Sequence, residues 1–410
     1  MSSSRGIDAD RVVADLRELA ARTSDESGAQ RLAWTDTWLD ARAFLRELLA
    51  ELDIEAELDE AGNLWARLEG EDPGADALVL GSHTDSVPDG GWLDGALGVM
   101  AAVEVFRAHR GEAPPRSLVL VDWADEEGAR FGLSLFGSSA FAGTLDASAA
   151  AGLRDAEGRQ MREVLASHGV DIDAASRCGA RREGLGSYLE LHIEQGPVLE
   201  AEGVAVAAVA GCQGIERHRF SFRGQAAHAG TTPMAMRRDA GLAAAALTTA
   251  IAELPADHGG VATTGELRLE PGISTAVAGV AHLACDLRNP DAGKLEAMLE
   301  RAQALARECS EAHGCELSAE KIFSIAPTTF DTNLVAAATE AARTETGASF
   351  EITSGALHDA ASVSRVMPAA MMFCPSRRGI SHAKEEDTAL ADLRLAIECF
   401  GTLAREVVTG

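Results

Sequence analysis

Between residues 81 and 98 the chain reads Gly-Ser-His-Thr-Asp-Ser-Val-Pro-Asp-Gly-Gly-Trp-Leu-Asp-Gly-Ala-Leu-Gly. His83, Asp85 and Asp94 lie close together there, and an imidazole joined by carboxylates suits a borderline divalent cation such as Zn2+ or Mn2+. The preceding run Ala77-Leu78-Val79-Leu80 reads as a buried parallel strand ended by Gly81. His83 and Asp85 then stand at a strand's carboxyl end, where ligands gather in open α/β sheets. The competing reading is a surface loop in which Asp94 merely caps an apolar helix running from Leu97 to about Ala108.

Three further stretches repeat this pattern. Val121-Asp122-Trp123-Ala124-Asp125-Glu126-Glu127-Gly128 closes the next apolar strand with consecutive carboxylates, which repel unless a cation lies among them. With a metal present, one of the pair can ligate while its neighbour takes a proton from an activated water. Glu190-Leu191-His192-Ile193-Glu194-Gln195-Gly196-Pro197 puts Glu190, His192 and Glu194 on one face of a strand by its two-residue period. Gly379-Ile380-Ser381-His382 follows the apolar strand 369–374 and places one more histidine at a strand end. Each stretch alone has an ordinary structural reading; four strand ends that each deliver His or carboxylate point to a dinuclear metal site. Two other residues have the right chemistry for a substrate. His228 sits in a small-residue loop, Ala226-Ala227-His228-Ala229-Gly230, and Arg288 ends a strand where it can grip a carboxylate with two parallel hydrogen bonds. A turn histidine and a surface salt bridge are their plain alternatives.

The elements that must position these residues alternate along the chain. Helical spacing marks 8–22 and 30–54, the latter carrying Trp34 and Trp38 one turn apart. A hairpin is expected over 55–69, then strand 77–82, helix 96–108, strand 117–123, short helices and loops over 151–186, and strand 187–193. Near residue 210 the texture changes to strand 213–223, helix 238–253, strands 261–269 and 279–288, helix 291–313 and strand 315–323. This βαββαβ order matches a ferredoxin-like unit, and strand-helix alternation resumes after Pro327. The predicted class is α/β: a larger catalytic domain (1–211 and 325–410) with a mostly parallel mixed sheet covered by helices, and an inserted ferredoxin-like α+β domain (212–324).

Composition narrows the function classes. A chain of 410 residues with 46% hydrophobic content supports two domains with real cores. A formal charge of −28 argues against nucleic acid and anionic membrane surfaces as partners. The seven cysteines are scattered and odd in number, which fits a reducing cytoplasm rather than a disulfide framework. The opening Met-Ser-Ser-Ser-Arg-Gly has no apolar core of a secretory leader, and no stretch is long and apolar enough to span a bilayer.

Taken together, the motifs resemble the M20-type metallopeptidase superfamily. Within it the chain is similar to the hydantoinase/carbamoylase branch of N-carbamoyl-L-amino-acid amidohydrolases, allantoate amidohydrolases and β-ureidopropionases. The resemblance rests on Gly-Ser-His-Thr-Asp-Ser (81–86), Leu-Asp-Gly-Ala-Leu-Gly-Val (93–99), Asp-Glu-Glu-Gly-Ala-Arg-Phe (125–131), His-Ile-Glu-Gln-Gly-Pro (192–197), His-Ala-Gly-Thr-Thr-Pro-Met (228–234), Ser-Gly-Ala-Leu-His-Asp-Ala (354–360) and Gly-Ile-Ser-His (379–382). These occur in order over nearly the whole chain.

The resemblance implies two divalent ions, Zn2+, Mn2+, Co2+ or Ni2+: one held by His83, Asp94 and His192, the other by Asp94, Glu127 and His382, with Asp94 bridging. It makes Glu126 the general base and then the acid, and gives Asp85 the task of orienting His83. It makes the inserted domain a lid and the homodimer interface, with His228 reaching a neighbouring subunit's active site. Gln195, Arg288, Thr275, Leu357 and Ser381 fall at substrate-facing positions, Arg288 as the anchor for a substrate carboxylate.

Several positions depart from the family pattern. Thr275 stands where Asn is frequent and Leu357 where Gly is usual; Arg377-Arg378 before Gly379 and Ala383-Lys384 after His382 are also unusual. All lie on the substrate side. The expected activity is hydrolysis of a linear amide or ureido bond in an N-carbamoyl-L-amino acid or related ureido acid such as allantoate. N-acyl amino acids or small dipeptides are the alternative substrates, and a catalytically silent binding protein on the same fold is the alternative of another class.

Overall fold

The computed structural model describes residues 6–410; the opening 1–5, over which no leader was expected, lies outside them. The chain divides into two compact units, Met1–Gly211 with Thr329–Gly410, and Cys212–Thr328.

In the larger unit the strands lie in the order Thr328–Thr329, Ala207–Cys212, Ala369–Cys374, Leu185–Ile193, Ala77–His83, Leu118–Trp123, Leu64–Leu68 and Ala56–Leu58, with Glu351–Ser354 paired to Ala207–Cys212. The central four, from Ala369–Cys374 to Leu118–Trp123, are mutually parallel. Ala207–Cys212 runs antiparallel to Ala369–Cys374 on one side, and on the other Leu64–Leu68 runs antiparallel to Leu118–Trp123 and to Ala56–Leu58. Of the central four, Ala77–His83, Leu118–Trp123 and Ala369–Cys374 are buried throughout, on both faces, which explains their apolar runs. The same burial corrects the simple two-face picture of Leu185–Ile193: Glu190 and His192 face the interior as fully as Leu191 and Ile193 do.

The Ala96–Ala108 helix connects two of the parallel strands, and every residue from Ala96 to Phe106 is buried, so it carries no polar face. Its entry turn requires glycine. Gly95 has φ 64°, and a Cβ there would lie 2.4 Å from the His83 ring.

The second helix begins at Asp36, not near residue 30 as its periodicity predicts. Trp34 is left-handed (φ 63°), and the Thr35 hydroxyl caps the helix by accepting the Trp38 N–H. Trp34 then folds back edge-on against Trp38, ring centroids 4.9 Å apart. Further along, Arg42 is buried over the Trp38 ring and donates from Nε to Asp122 Oδ2 at 2.7 Å. Asp122 also accepts the Thr84 N–H at 2.7 Å, so one buried ion pair ties this helix to two strand ends beside the histidines.

The smaller unit has four antiparallel strands in the order Val261–Glu270, Val280–Asn289, Gly214–Arg223, Glu316–Ile325, and helices Ala240–His258 and Ala292–Ala312. Phe220, Phe222, Leu247, Ile251, Leu283 and Met298 form its core. The strand order and βαββαβ sequence are ferredoxin-like.

Candidate metal centre

The parallel register places the chemistry at one end of the sheet. His83 is level with Trp123, just before Asp125-Glu126-Glu127, and His192 is level with Phe373, just before the break leading to Ser381-His382. Asp94 reaches the same place from the turn before the Ala96–Ala108 helix.

Asp94 is the hub. Its Oδ1 lies 3.2 Å from His192 Nε2 and 3.7 Å from His83 Nε2. Its Oδ2 lies 3.4 Å from His382 Nε2, which is 3.3 Å from Glu127 Oε2. The five residues therefore form two ligand-capable groups that share one carboxylate: His83, Asp94, His192 and Asp94, Glu127, His382.

The tautomers of two histidines follow from their partners. His192 Nδ1 lies 2.9 Å from the Ile193 carbonyl and His83 Nδ1 lies 3.1 Å from the Asp85 carbonyl. A carbonyl only accepts, so both rings carry hydrogen on Nδ1 and leave Nε2 for a cation. The Asp85 carboxylate is 3.5 Å from His83 Nδ1 and also accepts the backbone N–H groups of Glu126 and Glu127. It thus orders the imidazole and the acidic turn together. Glu126 is 7% exposed, with Oε2 3.5 Å from His83 Nε2, and belongs to neither ligand group.

Electrostatics agree with a site built for cations. Burial pushes the Asp94 carboxyl up, but hydrogen bonds from His192 and His382 outweigh it and hold the group well below the carboxylate range. Burial pulls the His83 pKa down, yet the Glu126 and Asp85 carboxylates raise it well above that of a free imidazole. The Asp94 hydrogen bond takes His382 to about 9, while burial and the Asp94 charge bring Glu127 to about 7. In the metal-free protein at neutral pH, protons therefore occupy the nitrogens that a cation needs. Metal uptake at pH 7 should release protons, detectable with an indicator dye in weak buffer, and apparent affinity should climb as pH rises towards about 9. An affinity independent of pH between 6 and 8 would contradict this arrangement.

Other expected residues fall into place unevenly. Gln195 Nε2 donates to Asp94 Oδ2 at 2.8 Å and lies 3.2 Å from His382 Nε2; Ser381 Oγ is 3.1 Å from Asp94 Oδ2. Both thus touch the ligand set directly. Leu357 is half-buried beside the fully buried His358. In the smaller unit, His228 is exposed, and its neighbour Ala229 donates to the Thr275 carbonyl at 2.9 Å. Arg288 donates from Nε to Asp286 Oδ1 at 2.7 Å, and Asp286 also receives Arg217.

Three participants escaped sequence reasoning. Glu386 accepts the backbone N–H groups of Leu93 and Asp94 and lies 2.8 Å from Ser381 Oγ, fixing the hub from behind. Arg31 is fully buried among the charges of Glu386, Asp85, Asp94 and Glu127, and its Nε donates to the Thr84 carbonyl at 2.7 Å. Nothing in their local sequence marks either one.

His358 is the third, and it forms another cluster with Glu190 and His192. His358 was within reach, because it stands inside Ser-Gly-Ala-Leu-His-Asp-Ala (354–360). This cluster shares His192, whose Nδ1 is already committed, and Glu190 already accepts from Ser82, Tyr188 and Ala360. It therefore braces the centre from below rather than forming a separate one.

The sequence profile of peptidase family M20/M25/M40 matches residues 79–406. The chain is 33% identical to an N-carbamoyl-L-amino-acid amidohydrolase of Paenarthrobacter aurescens, over 95% of this chain and 96% of that one. It is 31% identical to an allantoate amidohydrolase of Bacillus subtilis, over 93% of each. A crystal structure of a hydantoinase/carbamoylase family amidase from Burkholderia multivorans superposes with a TM-score of 0.90 at 33% identity, covering 98% of both chains. The chain belongs to peptidase family M20/M25/M40, on the side of that family where the hydantoinase/carbamoylase amidases lie.

Proposed function

We propose that this enzyme, a metal-dependent hydrolase of linear non-peptide C–N bonds, acts on N-carbamoyl-L-amino acids or related ureido acids through a dinuclear centre. The observation that carries the dinuclear reading is the division of Asp94, one oxygen toward His83 and His192 and the other toward His382. One ion would take His83, Asp94 and His192, and the other Asp94, Glu127 and His382. Zn2+, Mn2+, Co2+ and Ni2+ all suit such donors. When bound, the ions supply Lewis acidity that activates water and polarises the substrate carbonyl.

The protein's own groups do the rest. Glu126 takes the proton of the attacking water and then delivers it to the departing nitrogen; its burial, with the nearby Asp359 and Glu127 carboxylates, raises its proton affinity. Asp85 keeps His83 in the ligating tautomer and holds the Glu126 backbone. Gln195 and Ser381 contact the substrate beside the hub, with Thr275 and Leu357 shaping its pocket. Arg288 anchors the substrate carboxylate, and His228 stabilises the oxyanion across a homodimer.

That dimer forms through the inserted unit, which serves as lid. Its edge strand Val261–Glu270 is exposed along most of its length, leaving Val261, Leu267 and Leu269 available. No helix among the described residues is long and apolar enough to cross a membrane.

The test is ammonium release by Mn2+- or Zn2+-loaded enzyme on a panel of N-carbamoyl-L-amino acids, allantoate and N-acyl amino acids, with free amino acid followed in parallel. Ammonium from the ureido compounds is expected. Free amino acid without ammonium would overturn the ureido reading in favour of an acyl-amino-acid amidase, the outcome that Thr275 and Leu357 would then explain.

A further inference from the structure

We propose that Trp34 is a positioning residue for Glu126, acting through Asp125. The inference rests on the reading of Glu126 as general base. The Trp34 indole N–H donates to Asp125 Oδ2 at 2.7 Å, in surroundings where Trp34 is 2% and Asp125 0% exposed. Asp125 Oδ1 has no hydrogen-bond partner among the described residues, so the indole is the side-chain donor that fixes this carboxylate.

Both residues are left-handed, Trp34 at φ 63° and Asp125 at φ 55°, although neither is glycine. Such backbone persists only where its surroundings over-determine it. Asp125 is the link at which the chain leaves the Leu118–Trp123 strand and turns Glu126 toward His83. Backbone bonds secure the far side of that turn: Leu135 N–H to the Glu126 carbonyl at 2.7 Å and Phe136 N–H to the Asp125 carbonyl at 3.1 Å. Asp85 holds the Glu126 and Glu127 N–H groups. The Ser134 hydroxyl donates to the Glu127 carbonyl at 3.1 Å, and Asn63 Oδ1 accepts the Ala124 N–H at 2.9 Å. The Trp34 bond is the side-chain tether on the Asp125 side chain itself.

Three rings meet the indole edge-on, Trp38, Phe136 and His168, with ring centroids 4.9, 5.9 and 5.9 Å away. A cavity of about 150 Å³, lined also by Leu58, Val170 and His168, lies against it. Packing places the ring, and the ring, through its N–H, places Asp125. A displacement of about an ångström at a reacting group costs up to roughly 100-fold in rate.

Trp34→Phe keeps an aromatic ring and removes the donor. In the Mn2+-loaded enzyme, on whichever compound of the panel it turns over fastest, kcat should fall about 10- to 100-fold while KM and bound metal change less than about twofold. Asp125→Ala should match that loss. Asp125→Asn, whose amide oxygen still accepts the indole N–H, should lose less. The double variant Trp34→Phe/Asp125→Ala should be no slower than either single, because both break one link.

An unchanged kcat in Trp34→Phe, even with a lowered melting temperature, overturns the proposal, and so do losses that multiply in the double variant. If Trp34→Phe does not fold, the Asp125→Ala and Asp125→Asn pair decides alone, and equal losses in those two overturn it. Glu126→Gln is measured alongside. A dead Glu126→Gln with an intact Trp34→Phe rejects only the tether, whereas an active Glu126→Gln rejects the base as well.

Discussion

Glu126→Gln should lower kcat by roughly 100- to 10,000-fold while leaving KM and metal content near wild type. Glutamine has the same shape and keeps the backbone bond to Asp85, so packing around the 7%-exposed side chain is preserved. What it lacks is a basic oxygen. Glu126 sits 3.5 Å from His83 Nε2 yet is absent from both ligand groups, so its loss should not empty the site. Steady-state kinetics and metal analysis on the same preparation separate the two effects. Near-normal turnover would remove Glu126 from the mechanism.

Asp94→Asn should be more damaging to metal binding than any other single substitution at the centre. An amide at this position withdraws negative charge from three histidines at once and offers one oxygen where two are needed. Loss of an outer partner of a ligand typically lowers metal affinity about 10- to 100-fold. Asp85→Asn should stay in that range, and Asp94→Asn should exceed it, for both ions if two are bound as proposed. Competition with a chromogenic chelator gives both affinities without reference to catalysis. A variant that lost one ion and kept the other at wild-type affinity would show that Asp94 does not bridge.

Local sequence carried much of this architecture wherever one interaction type dominated. The helix Ala96–Ala108 and the strand Ala369–Cys374 match their expected bounds because the strand is an uninterrupted apolar run and the helix one broken only by Glu104 and Arg107. The second helix was misjudged at its start, because Trp34 and Trp38 keep helical spacing while Trp34 itself is left-handed. The strand Ala207–Cys212 was missed: its alanines and valine neither alternate nor stand out from the helical alanine elsewhere.

At the site, histidines and carboxylates at strand ends were legible because parallel strands deliver their ends to one edge. Arg31 and Glu386 were not. Glu386 serves Leu93 from 293 positions away, and only tertiary folding creates that relation.

The way the smaller unit joins the larger has an evolutionary reading. On one side of the junction Phe330 N–H bonds to the Ala210 carbonyl at 3.0 Å; on the other, Ile215 is registered with Ile325. Each unit thus has its two connecting ends side by side. A stretch that leaves and returns at adjacent points need not be threaded, and closing even a long excursion adds only a slowly growing entropic penalty. Such a segment can be gained, exchanged or lost in one genetic event while its host keeps its register. Lineages built this way are free to vary the inserted part and the metal-bearing part at different rates.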